Sequence, residues 1–277
     1  MKRVIWYDIT NGSIRIAWKY IVLFMLCTLI CVQAYKDANV NFLYETASKT
    51  SISITDYYTN FFIGRTLDEF SRFSISSPIE LPPYWICLNI FLAFIVAYYP
   101  ERDLKEFCTI SVLKMGSRKK WWAGKCLFIG WSTILAYIIL FLSGMVFSVA
   151  TNHEWIWELQ YQAGLWQQVD GKQLFLIYVF IPILTMIVIG MAETILSFCF
   201  TTEVGFLVVV SYLLVSVYEK SYFLLGNFLM FVRNDCYEQG GLSVYLEAVI
   251  VVIGMIVLYV IGRYFVSSCN IFTRNDM

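Results

Sequence analysis

Four stretches of the chain run without a charged side chain for long enough to leave water. They hold 16 residues between Lys19 and Lys36, 20 between Glu80 and Glu101, 28 between Lys125 and Glu154, and 20 between Lys172 and Glu193. A helix rises about 1.5 Å per residue, so roughly 20 residues cross the ~30 Å hydrocarbon core of a bilayer, and fewer suffice where terminal lysines snorkel. Two further runs are weaker, since residues 204–218 make only 15 and residues 242–262 include Glu247. With 59% hydrophobic and 18% aromatic residues, the chain has too little polar material to coat a soluble globule. The reading is an all-α membrane protein, one transmembrane domain over residues 1–277, with six membrane helices at 14–35, 82–99, 126–150, 173–200, 204–218 and 242–264. A cleaved leader competes for the first run, because Val32 and Ala34 have the spacing of a cleavage site; the length of the run favours a retained helix.

Orientation follows from the cations. With a cytoplasmic N-terminus, 13 of the 20 Lys and Arg residues fall on the inner side, among them Lys2, Arg3, Arg15, Lys19 and seven between positions 102 and 125. Both termini are therefore expected in the cytoplasm. Net charge is zero, and no nucleic-acid partner is expected.

The segment MGSRKKWWAGKC, residues 115–126, lies in the largest inner loop and half resembles a phosphate-binding loop. That motif needs glycine at position 119 and Ser or Thr after Lys125, where lysine and Cys126 stand. A membrane anchor fits better. Trp121 and Trp122 suit the headgroup layer, while Arg118, Lys119, Lys120 and Lys125 face anionic lipid.

Just upstream, residues 101–115 read as an amphipathic helix. Leu104, Phe107, Cys108, Ser111, Val112 and Met115 recur at helical spacing, with Arg102, Lys105, Glu106, Thr109 and Lys114 largely on the other side. Such a helix either floats on the inner leaflet or docks a cytoplasmic partner. Pro100 separates it from the second membrane helix.

The layout as a whole resembles the type-two permease family of ATP-binding-cassette exporters. The features that carry the resemblance are an N-terminal amphipathic segment, two spans, the cytoplasmic helix, the stretch SRKKWW..K leading into the third span, and a broken apolar region before the last helix. The resemblance implies that residues 101–115 are a coupling helix seated in a groove of a separate cytoplasmic ATPase, with Leu104, Phe107, Cys108, Ser111 and Val112 as the contact face. It implies a second permease copy, identical or paralogous, and a bacterial plasma membrane. This chain would hold no cofactor, with ATP and Mg on the partner ATPase. It also implies that the first, second and fifth helices of two protomers line the path. Asn89, Phe91 and Tyr212 are candidate path residues, because apolar walls with few polar groups suit an amphiphilic peptide such as a bacteriocin, or a hydrophobic drug.

Other segments fit that layout. Residues 1–13 place Ile5, Trp6 and Ile9 on one side of an elbow helix that Asn11-Gly12 is expected to end. The 12 uncharged residues 221–232 are too few to cross, and either form a re-entrant segment or lie as a loop. In the outer segment 36–81, Thr66 and Glu69 form a capping box ahead of Leu67, Phe70 and Phe73. The rings of Tyr57, Tyr58, Phe61 and Phe62 either close an exit or rest on headgroups. His153 is the lone histidine and reads as a solvated loop residue, so no metal site is expected. Of eight cysteines only Cys236 is clearly outside; Cys27, Cys31, Cys87, Cys126 and Cys199 belong to or border spans, and Cys108 and Cys269 face inward, so free thiols are expected.

Glu193 and Glu247 are the acidic residues that fall in or beside spans, where charge is costly. Pairing with a basic residue is favoured for Glu193, and Glu247 lies near water at the outer end of the last helix. Pro182 is expected to kink the fourth helix. One histidine cannot supply an H-E-x-x-H site, and no ATPase motif exists, so the chain reads as a non-catalytic subunit. A non-transporting scaffold or sensor, and an ATP-independent channel or carrier, stand as rival readings.

Overall fold

The computed structural model describes residues 2–44, 54–65, 81–97, 117–151, 171–237 and 240–268. Among them the regular elements are helical, joined by an isolated bridge between Asn234 and Leu242. The helices are α1 (Lys2–Arg15), α2 (Ala17–Tyr44), α3 (Ile54–Phe62), α4 (Pro83–Ala97), α5 (Arg118–Ala150), α6 (Gly171–Phe175), α7 (Ile181–Cys199), α8 (Thr202–Tyr218) and α9 (Val244–Ser268). The segment 101–115 with Leu104, Phe107, Cys108, Ser111 and Val112, expected as a coupling helix, the capping box expected at Thr66 and Glu69, His153, and Cys269 lie outside the described residues.

Among the described residues, four helices are long and apolar enough to cross a bilayer: the first 20 residues of α2, then α5, the joined stretch Gln173–Cys199, and α9. The helix α8 is as apolar but has 17 residues, so it rises only about 25 Å; α4 is described over 15 apolar residues, as far as Ala97. The bundle turns large apolar side chains outward along whole faces, as Ile253, Ile256, Val257, Val260 and Tyr264 do on α9. Contiguous apolar surface of this extent belongs in lipid or against another membrane chain. The helix α7 is the centre of the bundle, with 67% of its span buried, packed on α4, α5, α8 and α9; α9 is peripheral at 17%.

Helix boundaries depart from the sequence expectation where a cap or a packing contact outweighs composition. Asn11-Gly12 does not end α1, which runs to Arg15 and passes at Ile16 almost directly into α2; an interior glycine costs about 1 kcal/mol, and α1 recovers it by packing on α5. α2 continues to Tyr44, past Lys36, because a charge ends a membrane run without ending a helix. α5 begins at Arg118 rather than 126. Ser117 explains this: its extended backbone (φ −164°, ψ 146°) and hydroxyl, which accepts from the Lys120 N–H at 3.3 Å, make an N-cap ahead of the cations. The kink expected at Pro182 is a five-residue π-helix, Leu176–Phe180, placed just before the proline; the wider turn absorbs the donor that proline lacks.

Residues 221–232, expected as a re-entrant segment or a loop, carry two short 3-10 turns, Leu225–Leu229 and Phe231–Arg233. Phe228, Leu229, Met230 and Phe231 are wholly buried there. Phe231 meets Tyr178 with ring centres 4.5 Å apart and Phe62 at 5.4 Å, and Phe62 stacks on Tyr137 at 5.9 Å. The aromatics of α3 therefore sit inside the bundle and not on headgroups.

Two glycines set helix spacing. A Cβ on Gly205 would lie 3.0 Å from the Ser197 nitrogen, so α7 and α8 touch backbone to backbone. A Cβ on Gly262 would overlap the Trp122 indole, whose Nε1 donates to Tyr259 O at 3.0 Å and pins α5 to α9.

Candidate functional site

A helix ends with backbone carbonyls that have no partner within it. Water satisfies them at a surface, but at membrane depth each orphan costs several kcal/mol. The helix α8, whose end at Tyr218 is described, faces this difficulty and has a buried cation on its last carbonyls; a second buried cation sits on carbonyls in the last described turn of α4.

For α4 the cation is Lys19, which arrives from α2 and is 5% exposed. Its ammonium donates to Phe94 O at 2.5 Å and Ile95 O at 3.2 Å, and stands 4.0 Å from the centre of the Phe94 ring. Positive charge is also what the negative end of the helix dipole favours. Glu193 of α7 faces Lys19 within electrostatic range, and its two buried carboxylate oxygens take no hydrogen bond. Three helices thus meet at one charge pair.

For α8 the cation is Arg233, also fully buried. Its guanidinium donates to Ser216 O, to Val217 O at 2.5 Å and to Glu219 O at 3.1 Å, which covers the end of the helix. The remaining donors reach Asn227 Oδ1 and, at 3.1 Å, Arg65 O beyond α3. Asn227 in turn donates to Glu219 O and Ser221 O, both at 2.9 Å. A planar fork of five donors suits this task as a lysine would not.

The same turn is tied on its other side. Tyr212 of α8 donates to Phe223 O at 2.6 Å and accepts from Leu225 N at 2.8 Å, and Trp85 Nε1 of α4 donates to Leu229 O at 2.8 Å. Beside it, Asn234 holds the fully buried Glu247: with the amide nitrogen turned to the carboxylate, it donates at 3.0 and 3.2 Å. Glu247 is thus held by the loop and does not reach water. Burial, then the adjoining Asp235 carboxylate, pushes the Cys236 thiol up to about 11. With so little thiolate near neutrality, Cys236 is expected to resist maleimide at pH 7.5 in the folded protein and to label fully after denaturation, as mass spectrometry would read.

No protein-family model, curated protein or solved structure matches this chain. What the arrangement does must follow from its own geometry, which is to lock helix ends to one another inside lipid.

The structure scatters the residues singled out in the sequence. Trp121, Trp122 and Lys125 are buried against the protein and do not face lipid; Trp121 packs on Phe198, Trp122 donates to Tyr259 O, and the Lys125 ammonium lies 5.5 Å from the Trp121 ring. Arg118 is half-buried, and only Lys119 and Lys120 stay exposed. Asn89 is sealed in the core, donating to Trp85 O at 2.8 Å, so it lines no open path in the single chain. Phe91 is half-buried and Tyr212 serves the turn just described. All six described cysteines are free.

Sequence reasoning missed Lys19, Asn227 and Arg233. Cutting the chain at its charges turned Lys19 into a boundary marker and so hid a charge lying inside a helix. Arg233 carried a weak signal, being the first charge after twelve uncharged residues.

Proposed function

We propose that the chain is the permease subunit of an ATP-driven exporter in a plasma membrane, with six spans, an elbow helix at α1, both termini cytoplasmic, and a re-entrant turn at 221–232. It works as a pair of permeases energised by a separate ATPase. The observation that carries this reading is the amphipathic stretch 101–115 between the second and third apolar helices, followed at once by Arg118, Lys119 and Lys120. A chain without a nucleotide motif needs an energised partner, and this is its one inner segment with a docking face. Support for a path between two copies comes from α2 and α8, which turn Trp18, Ile21, Met25 and Leu29, and Leu207, Val208 and Val215, outward. Cargo on such walls is amphiphilic, a peptide or a hydrophobic drug. Alternating access is a shift between two packings of the bundle, biased by the ATPase through that segment.

The test is co-purification from the native membrane. An ATPase is expected to come down with the full chain, with hydrolysis stimulated by cargo, and Phe107→Asp is expected to abolish both association and stimulation. Flux that persists without nucleotide favours a channel or carrier. Recovery of a signalling protein in place of an ATPase favours a scaffold.

A further inference from the structure

An apolar groove of about 690 Å³ opens on the outer face of the bundle between α1, α5, α7 and α9. Ile9, Ile187, Met191 and Tyr259 line it. Gly130 lines it too, and an added Cβ there would meet nothing nearer than Ile187 at 3.9 Å, so a larger side chain at this position would enter the space. The wall is rigid, because the Trp122 indole ties α5 to α9 at Tyr259. Along α5 the groove runs from Ala123 to Ile134, about 16 Å.

One turn before Ala123, on the same stripe of α5, stand Lys119 and Lys120, both exposed. Cations at the mouth of an apolar slot of this length match one amphiphile, with its anion at the lysines and its chain in the slot. A second protein helix would need no such charge at the end of the groove.

We propose that this groove is a binding site for an anionic phospholipid, one acyl chain lying over Gly130 and the phosphate paired with Lys119 and Lys120. The site needs only that these helices lie in a membrane and does not depend on transport. None of its lining residues belongs to α2 or α8. Each lysine near an anionic headgroup contributes about a factor of five in affinity. The apolar slot holds the chain whatever the headgroup.

Native mass spectrometry of the full chain, released from nanodiscs containing equal phosphatidylglycerol and phosphatidylcholine of matched chains, tests this. Phosphatidylglycerol is expected to be retained at least fivefold over phosphatidylcholine. Lys119→Gln with Lys120→Gln is expected to erase that preference while phosphatidylcholine retention stays level. Gly130→Leu, which fills the slot, is expected to remove both lipids, with Val257→Leu on the open face of α9 as the control that changes nothing. Equal retention of both lipids by the unaltered protein overturns the proposal, as does undiminished phosphatidylglycerol on Gly130→Leu. Loss of folding in either variant is read separately by thermal unfolding, and Gly130→Ala, which the groove accommodates, is then expected to give a graded loss.

Discussion

Arg233→Met is expected to lower stability by about 3–5 kcal/mol, one of the two largest effects of any single substitution outside the aromatic core. The variant keeps the volume and the burial but removes every donor. Ser216 O, Val217 O and Asn227 Oδ1 then lose a donor in a place that water does not reach, while Glu219 O keeps the Asn227 amide. Each orphaned acceptor costs about 1–3 kcal/mol, and partial relaxation of the loop keeps the total below their sum. Arg233→Lys restores the charge at the helix end but draws its donors from one nitrogen, so it is expected to recover less than half. Thermal unfolding in detergent reads the global effect, about 10 °C for a chain of this size. Hydrogen exchange reads the local one, with protection lost first at residues 213–229. Lys36→Met, at an exposed cation on α2, is the comparison and is expected to leave both unchanged. A Tm change without faster exchange at the end of α8 would show that Arg233 matters for another reason.

The same physics explains what could be read in the sequence and what could not. Long uncharged runs identify α2, α5 and α7 well, because a charge is the one feature that a lipid-facing helix surface excludes, whereas α9 is less plain because Glu247 interrupts it. The runs fail at their ends. The start of α5 is set by Ser117, and a single hydroxyl among many leaves little mark on composition. The placement of Trp121 and Trp122 was misread for a related reason. Indoles beside lysines look the same in sequence at an interface and in a bundle; only the phase of α5, fixed by its cap, decides between them. The polar centres were harder still. Lys19 meets α4 some 75 residues along the chain, and Arg233 meets Arg65 across 168. No local pattern encodes such pairings. The end of α8 inside the bundle calls for a cation on its last carbonyls, and Arg233 supplies it from beyond the turn.

The second large effect is expected at Lys19 and Glu193. Lys19→Met alone leaves the Glu193 carboxylate inside the bundle with its nearby cation removed, and frees Phe94 O and Ile95 O. Breaking a buried pair from one side costs about 3–5 kcal/mol. Glu193→Gln alone is milder, because Lys19 keeps two carbonyls and the amide carries no charge; about 1–2 kcal/mol is expected. In the double variant the uncompensated carboxylate is gone, so the cost is expected to fall below the sum of the single costs by about 1–3 kcal/mol. Thermal unfolding of the four proteins closes this cycle. Additivity within about 0.5 kcal/mol would show that the pair does not interact and that Lys19 serves α4 alone. The cycle also bears on movement. Lys19 belongs to α2, its carbonyl partners to α4 and its counter-charge to α7, so sliding α2 relative to the other two breaks contacts of two kinds at once. A bundle held this way has discrete packings rather than continuous ones. Under the permease reading proposed above, the double variant, in which the charge pair is removed but a fold is kept, is expected to weaken the coupling of cargo to ATP hydrolysis more than it weakens cargo binding, a split that hydrolysis and binding assays on the same complex would separate.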